Sequence, residues 1–114
     1  MKIAKTDQID QIREHMRGGD GSILIHHILQ NENLPANCRM IARITIEPGC
    51  SIGEHEHTGE AEIFYILSGR AEMTDNGKRI ELEAGDSCAT MNGSHSIRCA
   101  GEEPLELIGV IIKG

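Results

Sequence analysis

"EHEHTGEAEIFYILSG", residues Glu54 to Gly69, sets two histidines one residue apart, turns at Thr58-Gly59, and continues as an alternating apolar run to a Ser-Gly stop. Side chains of a strand alternate between faces, so His55 and His57 share one face while Glu54 and Glu56 take the other. With a new strand beginning near Ala61, Glu62, Phe64 and Ile66 also share a face, and Glu62 can meet the histidines. The stretch reads as two strands that bring imidazoles and a carboxylate toward one space.

The sequence on both sides has the same character. From Ser22 onward short runs such as "SILIHHILQ", "RMIARITIE", "KRIEL", "HSIRC" and "LELIGVII" are separated by turn chemistry. "TDNGK" places Asn-Gly between two such runs, a strong hairpin signal, and "EPGC" and "EAGD" mark further turns. Many short strands with regular turns predict an all-β sandwich or barrel over residues 22–114. Ahead of it, Ile9, Ile12 and Met16 fit one short helix from about Gln8 to Met16, stopped by "RGGDG", so residues 1–21 are expected to form an N-terminal helix and turn. At 114 residues the chain is read as a single domain, 1–114.

Composition narrows the function. Aromatic residues are only 2%, so the core is expected from Ile, Leu, Val, Met and Ala. The net charge of -7 opposes binding to nucleic acid phosphates or an anionic membrane, which leaves a small-molecule ligand as the expected partner. "MKIAKTDQIDQIREHM" lacks the apolar stretch of a secretory signal, and no run approaches the ~18 apolar residues of a membrane span, so a cytoplasmic location is expected. The four cysteines form no CxxC pair and read as small buried hydrophobes of a reducing compartment.

A third imidazole, His95, opens a strand in "NGSHSIRC" just after a glycine. His55, His57, Glu62 and His95 make an N/O set suited to several first-row divalent ions, and the lack of cysteine among them argues for a site with open positions rather than a closed structural zinc site. Glu60, two residues from Glu62, is an alternative ligand. An HxH pair alone is more often solvated surface than a metal site. Arg43 is a candidate for binding a carboxylate substrate if its face of "MIARITIE" lines a cavity, and Phe64, on the face of Glu62, is a candidate pocket wall. Glu60 and Glu72 are the acid-base candidates. His26 and His27 adjoin, so at most one looks inward. "RGGDG" reads as a turn and not a phosphate loop, since no lysine and helix follow.

The Glu54–Gly69 stretch also resembles the cupin family, whose first motif is G-x5-H-x-H-x(3,4)-E-x6-G. Gly49, His55, His57, Glu62 and Gly69 fill every fixed position. The second motif, G-x5-P-x-G-x2-H-x3-N, is met at Gly85, Gly93 and His95, with Met91 at the proline, Cys99 at the asparagine and one residue fewer between Gly93 and His95. The resemblance covers roughly Met40 to Ile112. It implies a small antiparallel double-stranded β-helix, or jelly-roll barrel, with one divalent metal (Mn, Fe, Ni or Zn) held inside by His55, His57, Glu62 and His95. The expected function is then a metalloenzyme acting on a small oxygen-rich metabolite by decarboxylation, isomerisation or oxygenation. The alternative is a non-catalytic protein that binds or senses such a metabolite. Family habit and the isoleucine-rich strands "SILIHHIL" and "LELIGVII" also imply a homodimer.

Overall fold

In the computed structural model, which describes residues Met1–Gly114, ten antiparallel strands form two sheets. Along the chain they are β1 (Ile9–Glu14), β2 (Ser22–Leu29), β3 (Cys38–Ile46), β4 (Ser51–Glu56), β5 (Glu60–Ser68), β6 (Arg70–Asp75), β7 (Lys78–Glu83), β8 (Ser87–Met91), β9 (Ser94–Cys99) and β10 (Leu105–Lys113). One sheet has the order β1-β2-β3-β10-β5-β8 and the other β4-β9-β6-β7. Strands adjacent in space are mostly distant in sequence, as in the jelly-roll barrel the motifs implied. No helix is long and apolar enough to cross a membrane.

Alternation builds the interior. On β3 the residues Ala42, Ile44 and Ile46 turn inward, on β5 Phe64 and Ile66, and on β10 Leu105 and Leu107; with Met73 and Ile97 from the facing sheet they form one core. Each large side chain taken fully out of water there contributes about 1.5–3 kcal/mol. The Asn76-Gly77 turn joins β6 to β7 in the register Asp75↔Lys78, with both turn residues at positive φ (52° and 81°), the two-residue geometry that matches strand twist. All four cysteines are free thiols.

The N-terminal helix is not formed. Residues Ile9 to Glu14 are strand β1, paired with β2 from Ile9↔His27 to Glu14↔Ser22, and the only helical turns in the chain are short 3-10 segments at Lys5–Asp7, Met16–Gly18 and Asn31–Asn33. A helix this short nucleates poorly, whereas the open edge of β2 offers a hydrogen-bonding partner along its whole length. The apolar spacing is misleading because Ile9 and Ile12 do not enter the core; they are 51% and 71% exposed. Met16 alone of the three packs against the core.

Candidate metal centre

His55 and His57 leave β4 on the inner side of the barrel only because that strand is irregular. Ile52 is buried and faces the core, and in a regular strand His55, three residues on, would face the opposite way. The register between β4 and β9 shifts between Ile52 and His55, where Gly53 and Glu54 stand opposite Ser96 alone. This bulge resets the phase, so that Ile52 and His55 both look inward and His55 lies directly across from His95. Glu62 comes in from β5, where regular alternation places it with Phe64 and Ile66.

The four side chains converge. His55 Nε2, His57 Nε2 and His95 Nε2 are 3.1, 3.1 and 3.2 Å apart. Glu62 Oε1 is 2.9 Å from His57 Nε2, 2.9 Å from His95 Nε2 and 3.9 Å from His55 Nε2. His57, Glu62 and His95 are 2%, 5% and 1% exposed.

The outer ring nitrogens fix the protonation of the inner ones. His55 Nδ1–H donates to the Gly53 carbonyl at 2.8 Å, which can only accept. His57 Nδ1–H donates to Glu60 Oε1 at 2.6 Å. His95 Nδ1–H donates to Thr90 Oγ1 at 3.1 Å, whose own proton goes to Asp75 Oδ1 at 2.7 Å. A neutral imidazole carries one N–H, so all three Nε2 atoms turn bare lone pairs toward one another and toward a carboxylate oxygen. Such a cluster at hydrogen-bonding distance without protons is repulsive unless a cation sits among its members. The spacing fits one: donors at ~2.1 Å from a six-coordinate ion lie about 3 Å apart when adjacent and about 4 Å when opposite. Five short separations and one long one correspond to four corners of an octahedron, with the two remaining corners adjacent. The buried cluster could therefore hold a metal ion.

Burial pushes the Glu62 carboxyl up, but when the rings carry protons toward it, hydrogen bonds from His55 and His95 and the charges of His95 and His57 outweigh burial and hold the group at about 2; when they do not, a cation among the donors would take the place of those protons. Glu60 is also held at about 2, first by its hydrogen bonds from Arg39 (2.8 and 3.0 Å) and further by His57.

The other expected site residues fall differently. Glu60 does not join the four donors but backs His57 from outside. Phe64 is 1% exposed and does not line the cavity; it lies flat beneath His95 with ring centroids 5.2 Å apart. Arg43 is exposed on the outer face of β3, because the apolar face of that strand is the one turned inward. Glu72 sits on the outer side of β6, paired with Arg79 (2.6 Å) and Arg98 (3.6 Å), and lines a separate surface pocket rather than the cavity beside the four donors.

A cavity of about 220 Å³ opens from the cluster, bounded by His55, His57 and Glu62 at its floor and by Gln11, Arg13, Arg17, His27 and Arg39 among its upper walls. Of these five upper residues the sequence singles out only His27, as one of an adjoining pair of which at most one looks inward. Arg39 is the residue skipped where β10 pairs Ile111↔Met40 and then Ile112↔Cys38, a bulge that re-aims it and that no periodicity reveals. Gln11 and Arg13 were hidden by the helix assignment. Of the adjoining histidines, His27 is the one on the cavity wall, with its Nε2–H donated to Gln11 Oε1 at 2.9 Å, while His26 faces Asp10 and Gln8.

Comparison with known proteins agrees with this geometry. The family model described as "Cupin domain" matches residues 42–111. An "Oxalate-binding protein" of Thermotoga maritima is 46% identical over 112 residues, covering 96% of this chain and 93% of its own length. An uncharacterised protein of Methanocaldococcus jannaschii is 31% identical over 95% of this chain and 85% of its own. A crystal structure described as a predicted oxalate decarboxylase from Thermotoga maritima superposes with a TM-score of 0.92 at 40% identity, covering all of both chains. A cupin protein from Bacteroides fragilis, at 22% identity and a TM-score of 0.69, shares the fold.

Proposed function

Because the chain belongs to the cupin domain family, we propose that it binds a small chelating carboxylic acid, of which oxalate is the simplest, at a divalent metal held by His55, His57, Glu62 and His95. The observation that carries this reading is the convergence of three Nε2 atoms and one carboxylate oxygen at 2.9–3.9 Å, spaced like four corners of an octahedron with two adjacent corners left over. A divalent ion held there, Mn, Fe, Ni or Zn by ligand type, would supply Lewis acidity toward the oxygens of a chelating ligand. The resemblance to an oxalate-binding protein along nearly the whole chain supports the ligand class. In this reading Glu60 and Thr90 fix the tautomers of His57 and His95, Phe64 supports the His95 ring, and Arg43 and Glu72 take no part.

Binding is favoured over turnover because neither acid-base candidate is free in the cavity. Glu60 is committed to Arg39 and His57, and Glu72 lies outside. Turnover is the second reading, and His27 is what favours it: its imidazole stands on the cavity wall, where burial and then His26 keep it neutral by lowering its pKa. We also read the chain as a homodimer, with Ile9 and Ile12 on the exposed edge strand β1 as part of the contact; light scattering that gives a monomer at micromolar concentration would contradict that.

Elemental analysis of natively purified protein, followed by calorimetric titration of the metal-loaded protein with oxalate, tests the binding reading. One ion per chain and saturable oxalate binding that disappears in His57→Ala are expected. Metal-loaded protein that ignores oxalate would overturn it. Formate or carbon dioxide released from oxalate, and abolished in His27→Gln with binding retained, would establish the second reading instead.

A further inference from the structure

We propose that Arg13 and Arg17 form a second, anion-binding subsite at the mouth of the cavity, so that the ligand is an acid with a carboxylate beyond the end that chelates. The inference rests on the binding function proposed above and extends its substrate class from oxalate to longer hydroxy or oxo diacids.

The chain is acidic overall, yet three of its eleven basic residues line this one cavity. Arg39 is neutralised by Glu60, as Arg79 and Arg98 are by Glu72. Arg13 and Arg17 have no acidic partner, and both guanidinium groups remain available to a ligand. A dication beside the Glu62 carboxylate leaves one positive charge at the floor, and the two free arginines add their charges above it. Oxalate, with both carboxylates occupied at the floor, would make no contact with those arginines, which stay exposed to water. A diacid that chelates through one carboxylate and an adjacent hydroxyl or oxo oxygen would present its other carboxylate to them, and a guanidinium fork suits that group.

The chain holds Arg17 in place at conformational cost. His15 and Arg17 both have positive φ, 49° and 54°, a region that L side chains disfavour. The turn carrying them is fastened to the metal-site strand: Asp20 N–H donates to Ser51 Oγ (2.8 Å), Ser51 N–H donates to the Asp20 carbonyl (2.9 Å), and the backbones at Gly19 and Gly53 approach too closely for any Cβ. Strained residues persist where their surroundings over-determine them, and here they bring a guanidinium to the cavity next to the strand that bears His55.

The test is calorimetry on the Mn-loaded full chain with lactate and malate, a pair with the same chelating hydroxy acid that differs in the distal carboxylate, and with oxalate alongside. In the wild type malate is expected to bind roughly ten- to hundred-fold more tightly than lactate. In R13Q/R17Q the malate-to-lactate ratio is expected to fall toward one, with each single variant in between. The ratio is internal to each protein, so it is insensitive to a general loss of affinity, and if a variant fails to fold the wild-type ratio alone decides. Oxalate binding with equal malate and lactate affinities in the wild type, or a ratio unchanged in R13Q/R17Q, would overturn the subsite while the proposed function stands. Failure of all three acids to bind the Mn-loaded wild type would overturn both.

Discussion

Adding one methyl group at Gly53 should damage the fold and the metal site together. A Cβ built at Gly53 would lie 2.1 Å from the Arg17 carbonyl oxygen, 2.9 Å from its carbon and 2.9 Å from Gly19 N, all of them backbone atoms. Close carbon–oxygen contacts in proteins lie near ~3.3 Å or more, so the turn at Arg17 and strand β4 must separate by about 1 Å. No rotamer change can relieve a backbone obstacle. Overpacking of this kind costs about 1–3 kcal/mol and occasionally more, which for a domain near this size lowers Tm by on the order of 10 °C. The same residue forms the bulge that turns His55 inward, and its carbonyl accepts the His55 Nδ1–H at 2.8 Å. Metal affinity should therefore fall as well, by roughly ten- to hundred-fold, the scale on which groups that orient a ligating histidine act. Thermal melts of the metal-free protein and competition with a chromophoric chelator measure the two effects separately. Gly101→Ala is the control, because a Cβ there meets nothing nearer than 3.9 Å. A Gly53→Ala variant that melts and binds metal like Gly101→Ala would refute the claim that close approach at this residue aims His55.

Three further outcomes are expected. Glu60→Gln keeps the shape of the acceptor for His57 Nδ1–H but removes its charge, so metal affinity should drop roughly ten-fold or more by the same chelator competition; an unchanged affinity would show that Glu60 does not position His57. Imidazole binds metal only when neutral, so protons compete with the ion and metal affinity should weaken steadily on acidification; chelator competition across pH reads this, and an affinity that does not change with pH would count against imidazole ligands. Burial and then the charge of Asp75 push the Cys88 thiol up, so less of it is thiolate at pH 8 than in an exposed cysteine. Mass-spectrometric mapping of iodoacetamide labelling should find Cys88 slower than a cysteine in an unfolded peptide, and a faster rate would refute the assignment.

What was legible in the sequence follows the regularity of the backbone. On β5 strict alternation holds from Glu62 to Ile66, and the expectation that Glu62, Phe64 and Ile66 share a face matches their burial. Asn76-Gly77 encodes its turn in two residues, because few others accept positive φ in succession, and it appears where it was read. Where structure depends on partners distant in sequence, the pattern fails. Nothing local to Ile9–Glu14 says that the edge of β2 lies alongside to pair with it, so three isoleucine and methionine positions at helical spacing suggest a helix where the structure has a strand. Phe64 was correctly placed on the face of Glu62, but whether that face meets a cavity or a ring depends on His95, thirty-one residues away in the sequence.

The register shifts explain why the cavity walls were harder to read than its floor. Three lie beside the cavity: at Gly53-Glu54 on β4, at Arg39 between β3 and β10, and at Ile28 where β2 passes from His27↔Ala42 to Leu29↔Ile41, while a fourth, at Leu67 between β5 and β10, lies away from its lining. Each of these three is next to or at a residue of the site, namely His55, Arg39 and His27. A strand in perfect register would send residues of one parity to the core and of the other to water, and a barrel interior made that way would be uniformly aliphatic. Polar groups enter this interior where the parity is broken, at Gly53-Glu54 and Arg39, or where a polar residue takes an inward position on an intact face, at Glu62 on β5 and at His95, which alternates with Ile97 and Cys99 on β9. Local rules are broken where function requires a different aim, and the surrounding isoleucine and leucine core supplies the stability that keeps the exceptions fixed. The motif histidines were found because their spacing is written in the chain; Arg39 was not, because its direction is written only in the pairing of β3 with β10.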